Sequence, residues 1–119
     1  MTITREMVED MFRSIRARAS WNIDGECLWS YFFVDTDRDK LLAAGRDLEA
    51  DGFKVVGFLE PTPEDEDQQT IYLRVDRIET HTVASLMALN EVLYAFARDH
   101  GLASYDGMEA GSAAGGIGG

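Results

Sequence analysis

Thr70-Ile71-Tyr72-Leu73-Arg74-Val75-Asp76-Arg77-Ile78 is the stretch that decides the fold. Successive side chains of a strand point to opposite faces, so Ile71, Leu73 and Val75 share one side and Tyr72, Arg74 and Asp76 the other. That pattern describes a half-buried strand. On its N-terminal side, Pro61-Thr62-Pro63 and Glu64-Asp65-Glu66-Asp67 form a loop, because two prolines and four adjacent acids suit neither helix nor strand. Phe53 to Leu59 reads as the strand before that loop. On the C-terminal side, Thr80 or Thr82 caps the longest helix, which runs to about His100. Its inner stripe is Val83, Leu86, Met87, Asn90, Leu93, Tyr94 and Ala97, and Gly101 closes it. Ala103 to Tyr105 is expected to be a short last strand, stopped by the turn chemistry of Asp106-Gly107.

Nearer the N-terminus, Cys27 to Val34 is aromatic and β-branched, with both faces apolar, which places it centrally in its sheet. A helix follows from a Thr36 cap to about Asp51, with Leu41, Leu42, Gly45 and Leu48 facing inward and Gly52 in the C′ position. Residues 4 to 18 form an amphipathic helix. Thr4 caps it, Ile3 and Val8 stand at staple spacing, and Val8, Met11, Phe12 and Ile15 make the apolar stripe. Arg13, Arg16 and Arg18 sit in its last turns, where cations complement the helix dipole.

The order is one helix followed by βαββαβ. Right-handed crossovers pack the two later helices on one side of an antiparallel sheet. The expected fold is therefore α+β, a ferredoxin-like βαββαβ sandwich with an additional N-terminal helix. Residues 1–20 hold that helix, 21–109 the sandwich, and 110–119 a flexible Gly/Ala tail.

Such a sandwich leaves one sheet face bare. With Phe53 and Val55 on the covered side, the other side receives Val56, Phe58 and Tyr72, joined by either Trp29/Tyr31/Phe33 or Leu28/Phe32/Val34. A patch that apolar calls for a cover. The N-terminal helix with its matching stripe is the first candidate; a second copy of the chain and a heterologous partner are the others.

Acidic residues outnumber basic ones 22 to 11, and the net charge of -11 opposes direct binding of nucleic acid. No apolar run approaches the length of a membrane span. Glu6, Glu9 and Asp10 interrupt any signal-peptide core. Cys27 is the only cysteine of the 119 residues, so no intrachain disulfide forms, and the cytoplasm is the expected setting.

Candidate chemistry fails on spacing. Cys27 has only His81 and His100 to draw on, and these stand at opposite ends of one helix, so a buried structural thiol is expected. Asp35, Asp37 and Asp39 have the first spacings of an EF-hand loop, but Lys40 stands where glycine is needed and Arg46 where a bidentate glutamate is needed. These acids are expected to cap the helix. No phosphate loop or zinc spacing is present, and no cofactor, metal or catalytic residue is assigned. The acidic loop of Glu64, Asp65, Glu66 and Asp67 remains as a surface for a basic partner.

Tyr105-Asp106-Gly107, with Glu109, closes a short strand after a long helix. This pattern resembles the end of the RraB family, the regulators of ribonuclease E activity B. Trp29-Ser30-Tyr31-Phe32-Phe33, the helix ending in Asp51-Gly52-Phe53, and the acidic loop before Ile71-Tyr72-Leu73 match as well, so the resemblance covers roughly residues 26 to 109. Met108 stands where the family pattern has a tryptophan. The resemblance implies a ferredoxin-like, non-catalytic protein that inhibits a ribonuclease E-like endoribonuclease, or acts on its degradosome, by protein contact. Tyr105 and Asp106 join the loop acids as candidate partner-binding residues on that ground. A dimeric ferredoxin-like regulatory module is the alternative function.

Overall fold

In the computed structural model, which describes residues 2–113, the chain is α+β. The elements are α1 (Arg5–Arg18), β1 (Cys27–Asp35), α2 (Arg38–Ala50), β2 (Lys54–Leu59), β3 (Ile71–Glu79), α3 (Val83–Asp99) and β4 (Ser104–Ser112). The four strands form one sheet in the order β2-β3-β1-β4, antiparallel at every pairing.

Helix ends follow the local chemistry. Thr4 caps α1 by accepting from the Met7 amide, and Thr82 and Ser85 cap α3 reciprocally. The cap of α2 is Asp37, one residue later than the expected Thr36. Asp35 accepts the Asp37 amide at 2.8 Å, which leaves the Asp37 carboxylate free to take the Asp39 and Lys40 amides. Both α2 and α3 end in a Schellman motif. Gly52 and Gly101, at φ +94° and +67°, reverse the chain, while Phe53 and Leu102 donate back to the Leu48 and Ala97 carbonyls.

All three helices lie on one side of the sheet. Phe12 of α1 stacks on Trp29 at 6.0 Å, and Phe96 of α3 meets Phe33 edge-on at 5.6 Å. On α2, a Cβ at Gly45 would come within 3.2 Å of Val55 and 3.7 Å of Leu73, so the glycine sets how closely that helix approaches β2 and β3. Trp29, Tyr31 and Phe33 are fully buried beneath these helices. The N-terminal helix is therefore not the cover of the bare face. Its stripe of Val8 and Phe12 is spent on the same core as α3.

Two β-bulges depart from the expected pattern. In β2, Val55 pairs with Val75 and Gly57 with Arg74, so Val56 is the extra residue. The register then brings Phe58 opposite Leu73, on the helix side and not on the bare side as expected. In β4, Phe33 pairs with Tyr105 and Phe32 with Gly107, which makes Asp106 the extra residue. Asp106-Gly107 is thus a bulge within a longer strand, not a terminating turn. Ala110, Gly111 and Ser112, expected in the tail, pair with Trp29, Leu28 and Cys27. Residues 114–119 of the expected tail lie outside the described residues.

Candidate partner-binding surface

The loop between β2 and β3 divides its own acids. Asp65 accepts the Thr62 amide at 2.7 Å. Asp67 accepts the Gln69 and Thr70 amides at 2.8 and 3.0 Å and the Thr70 hydroxyl. The Thr70 hydroxyl bond first, and the two amides after it, hold the Asp67 carboxyl below its ordinary range. Glu64 and Glu66 are exposed and make no ion pair among the described residues. The two aspartates therefore build the loop, and the two glutamates are what it presents.

Arginines elsewhere are mostly neutralised in place. Arg13 pairs with Asp10, Arg16 with Asp24, Arg38 with Glu60, Arg74 with Asp76 and Arg77 with Glu79. The acidic excess is left facing solvent, a field suited to a cationic partner.

Tyr105 and Asp106 are adjacent but placed differently. Tyr105 is buried; its hydroxyl donates to Asn90 at 2.7 Å and its ring meets Tyr94 edge-on at 5.1 Å. Burial raises its phenol well above the ordinary range. Asp106 is exposed at the bulge. The loop acids lie beyond the end of β3 that starts at Ile71, the end where Val34 pairs with Ser104.

The bare sheet face carries Leu28, Ser30, Phe32 and Val34 on β1, opposite Ile78, Asp76, Arg74 and Tyr72 on β3. Lys54, Gly57 and Leu59 flank it on β2, and Gly107, Glu109 and Gly111 on β4. Leu59 and Ile78 are 55% and 40% exposed, and at the Leu59–Tyr72 end the β2–β3 loop residues Pro61, Asp65, Glu66 and Asp67 line a hollow together with Leu59 and Tyr72. Arg74 and Asp76 pair along β3 at 3.0 Å in the middle of the face.

A partly buried polar network lies on the opposite, helix-covered side, and the sequence did not single it out. Tyr31 donates to Glu79 at 2.5 Å, Arg77 binds the other carboxylate oxygen at 2.5 Å, and His81 lies 2.7 Å from Glu79 and 2.9 Å from the Ser85 hydroxyl. Burial by itself would raise the Glu79 carboxyl, but the bonds from His81, Tyr31 and Arg77 outweigh it and hold the group down at about 2. Burial first, then the Glu79 carboxylate, pushes the Tyr31 phenol far above its ordinary range. Glu79 and His81 are two residues apart, yet Tyr31 is 48 residues away from Glu79, and only the β1–β3 register joins them.

Cys27 is buried with its thiol against the Asn22 and Gly25 carbonyls at 3.2 and 3.4 Å, and burial raises its pKa, both unfavourable to a nucleophile. Asp35 and Asp37 are spent on backbone amides, including Ala103 at 3.0 Å from Asp35. Among the described residues no cluster of three His, Cys, Asp or Glu is arranged to hold a metal ion, and no helix is long and apolar enough to cross a membrane.

A search of curated proteins finds no match to the chain. A family model described as "Regulator of ribonuclease activity B" matches residues 5–110, so α1 and nearly all of β4 fall within it. The chain belongs to the RraB family, the regulators of ribonuclease activity B.

Proposed function

We propose that this chain is a non-catalytic regulator that binds and inhibits a ribonuclease E-like endoribonuclease, or a component of its degradosome, by protein contact. The observation that carries this reading is the family match over residues 5–110, whose description names ribonuclease regulation. The sheet order β2-β3-β1-β4, with its helices on one side, supports the ferredoxin-like assignment. The unpaired thiol of Cys27 supports a reducing, cytoplasmic setting.

Charge supplies the physics of the contact. Glu64 and Glu66 project from a loop whose shape the neighbouring aspartates maintain, and a basic segment of the ribonuclease approaching them gains on-rate from the opposite field. The same acids compete with RNA for the partner's cations. Titrating a purified ribonuclease E-like enzyme with this protein at low and high salt tests the mechanism. Affinity is expected to fall by about tenfold or more as salt screens the attraction, each factor of ten being about 1.4 kcal/mol. An affinity indifferent to salt would remove the electrostatic contact from the mechanism.

A further inference from the structure

We infer that the bare face of the sheet is a self-complementary interface, and that a second copy of this chain covers it. The inference goes beyond the ribonuclease reading and does not depend on it.

A two-fold axis lying between two such faces, parallel to the strands, sets β3 of one copy over β1 of the other and β2 over β4. Each row of cross-strand neighbours then meets its own reverse. In the row Lys54-Asp76-Ser30-Glu109, Lys54 faces Glu109 of the second copy, and Asp76 lies over its Ser30, both already buried among their neighbours in one chain. No like charges meet in this row, whereas the two acidic β2–β3 loops come to the same end of the pair. In the next row Arg74 lies over the ring of Phe32, and the edge glycines Gly57 and Gly107 face each other, where no side chain holds the backbones apart. Tyr72 meets Val34, and Ile78 meets Leu28.

Lys54 and Glu109 make this arrangement more than an apolar contact. Both are exposed, and neither makes an ion pair within 4 Å among the described residues, although Glu109 acts at longer range on Arg74 of its own chain. They stand on opposite edges of the sheet, three strand spacings or about 14 Å apart, too far to pair within one chain. Across the axis each finds the other, twice per dimer.

Area sets the strength. Three strands about 30 Å long and the six-residue β2 at about 20 Å, spaced about 4.8 Å apart, present on the order of 530 Å² per copy, or about 1,060 Å² for the pair. This is near the lower bound of about 1,000 Å² for a specific interface, so the dimer is weak and depends on concentration. Two bodies of charge -11 repel, and added salt screens that repulsion. The dimer is therefore strengthened by salt, whereas the contact with a basic ribonuclease segment is weakened by it.

Sedimentation equilibrium of the full chain over a wide concentration range, at low and high salt, tests this. The mass should rise from 13.3 kDa towards twice that value, and sooner at high salt. Lys54→Glu and Glu109→Lys should each weaken association by about tenfold, because each sets like charges opposite one another twice. The double variant should restore it. Glu109→Lys is the sharper arm, since it lowers the net negative charge and would strengthen association if bulk repulsion alone mattered. Both positions are exposed, so circular dichroism should show all variants folded as the parent. A mass of 13.3 kDa at every concentration, a stronger dimer in Glu109→Lys, or a double variant that fails to recover would each overturn the inference. Loss of ribonuclease binding without change in mass would count only against the ribonuclease reading.

Discussion

Phe33 and Phe32 are neighbours on β1 with opposite surroundings. Phe33 is fully buried between Phe96 and Tyr105, while Phe32 is half-buried on the bare face opposite Arg74. The same contrast runs through the whole sheet. On one side, aromatic rings, three helices and the Glu79 network fill the space beside the strands. On the other, leucine, valine and tyrosine alternate with an ion pair, and none of the three helices packs there. This sheet divides its labour between its faces: one side holds the fold together, and the other is available for contact.

The largest expected effect tests that division directly. Phe33→Ala should cost about 3–5 kcal/mol in urea unfolding, because it opens a cavity among packed rings. Phe32→Ala, on the adjacent residue, should cost about 1 kcal/mol, the area term alone. Equal losses would erase the distinction between the faces.

Next in size is the Glu79 network. Glu79→Gln should cost about 2 kcal/mol at neutral pH, since Arg77 loses the charge of its partly buried partner. The sign with pH follows from the lowered carboxyl. Glu79 ionises at about 2 in the folded chain and near 4.5 unfolded, so its contribution is full above about pH 4.5 and fades as pH falls through about 2. Unfolding free energies measured across that window should slope less in Glu79→Gln than in the parent.

The smallest effect belongs to the bare face at low protein concentration. Ile78→Ser should stay within about 0.5 kcal/mol of the parent in dilute urea titrations, as expected for a substitution at a surface position. A larger loss would mean that the face is packed against something within the chain.

Much of the fold was legible because its signals are local. The alternation of Ile71, Leu73 and Val75, the Thr4 and Thr82 caps, and Gly52 and Gly101 at the C′ positions each depend on a few adjacent residues. The bulges at Val56 and Asp106 were not legible, because one unpaired residue inside a strand leaves no mark in the alternation of its partner. The docking side of α1 was hidden for another reason: the stripe of Val8 and Phe12 suits either face, and only Trp29 decides between them. At the candidate surface, composition identified the acidic loop but could not separate building aspartates from presented glutamates, a distinction made by the amides of Thr62, Gln69 and Thr70. Tyr31, Glu79 and His81 meet only through tertiary register, beyond the reach of spacing.

The Asp106 bulge acts as a change of phase in β4. Before it Tyr105 points to the helices; after it the inward residues are Met108 and Ala110, opposite Tyr31 and Trp29, while Glu109 points out. An unbroken strand would keep odd-numbered residues inward, bringing Glu109 towards the core and turning Met108 to solvent. A single extra residue thus decides, for the remainder of the chain's last strand, which side chains are oil and which are water. Length at this point carries as much information as composition.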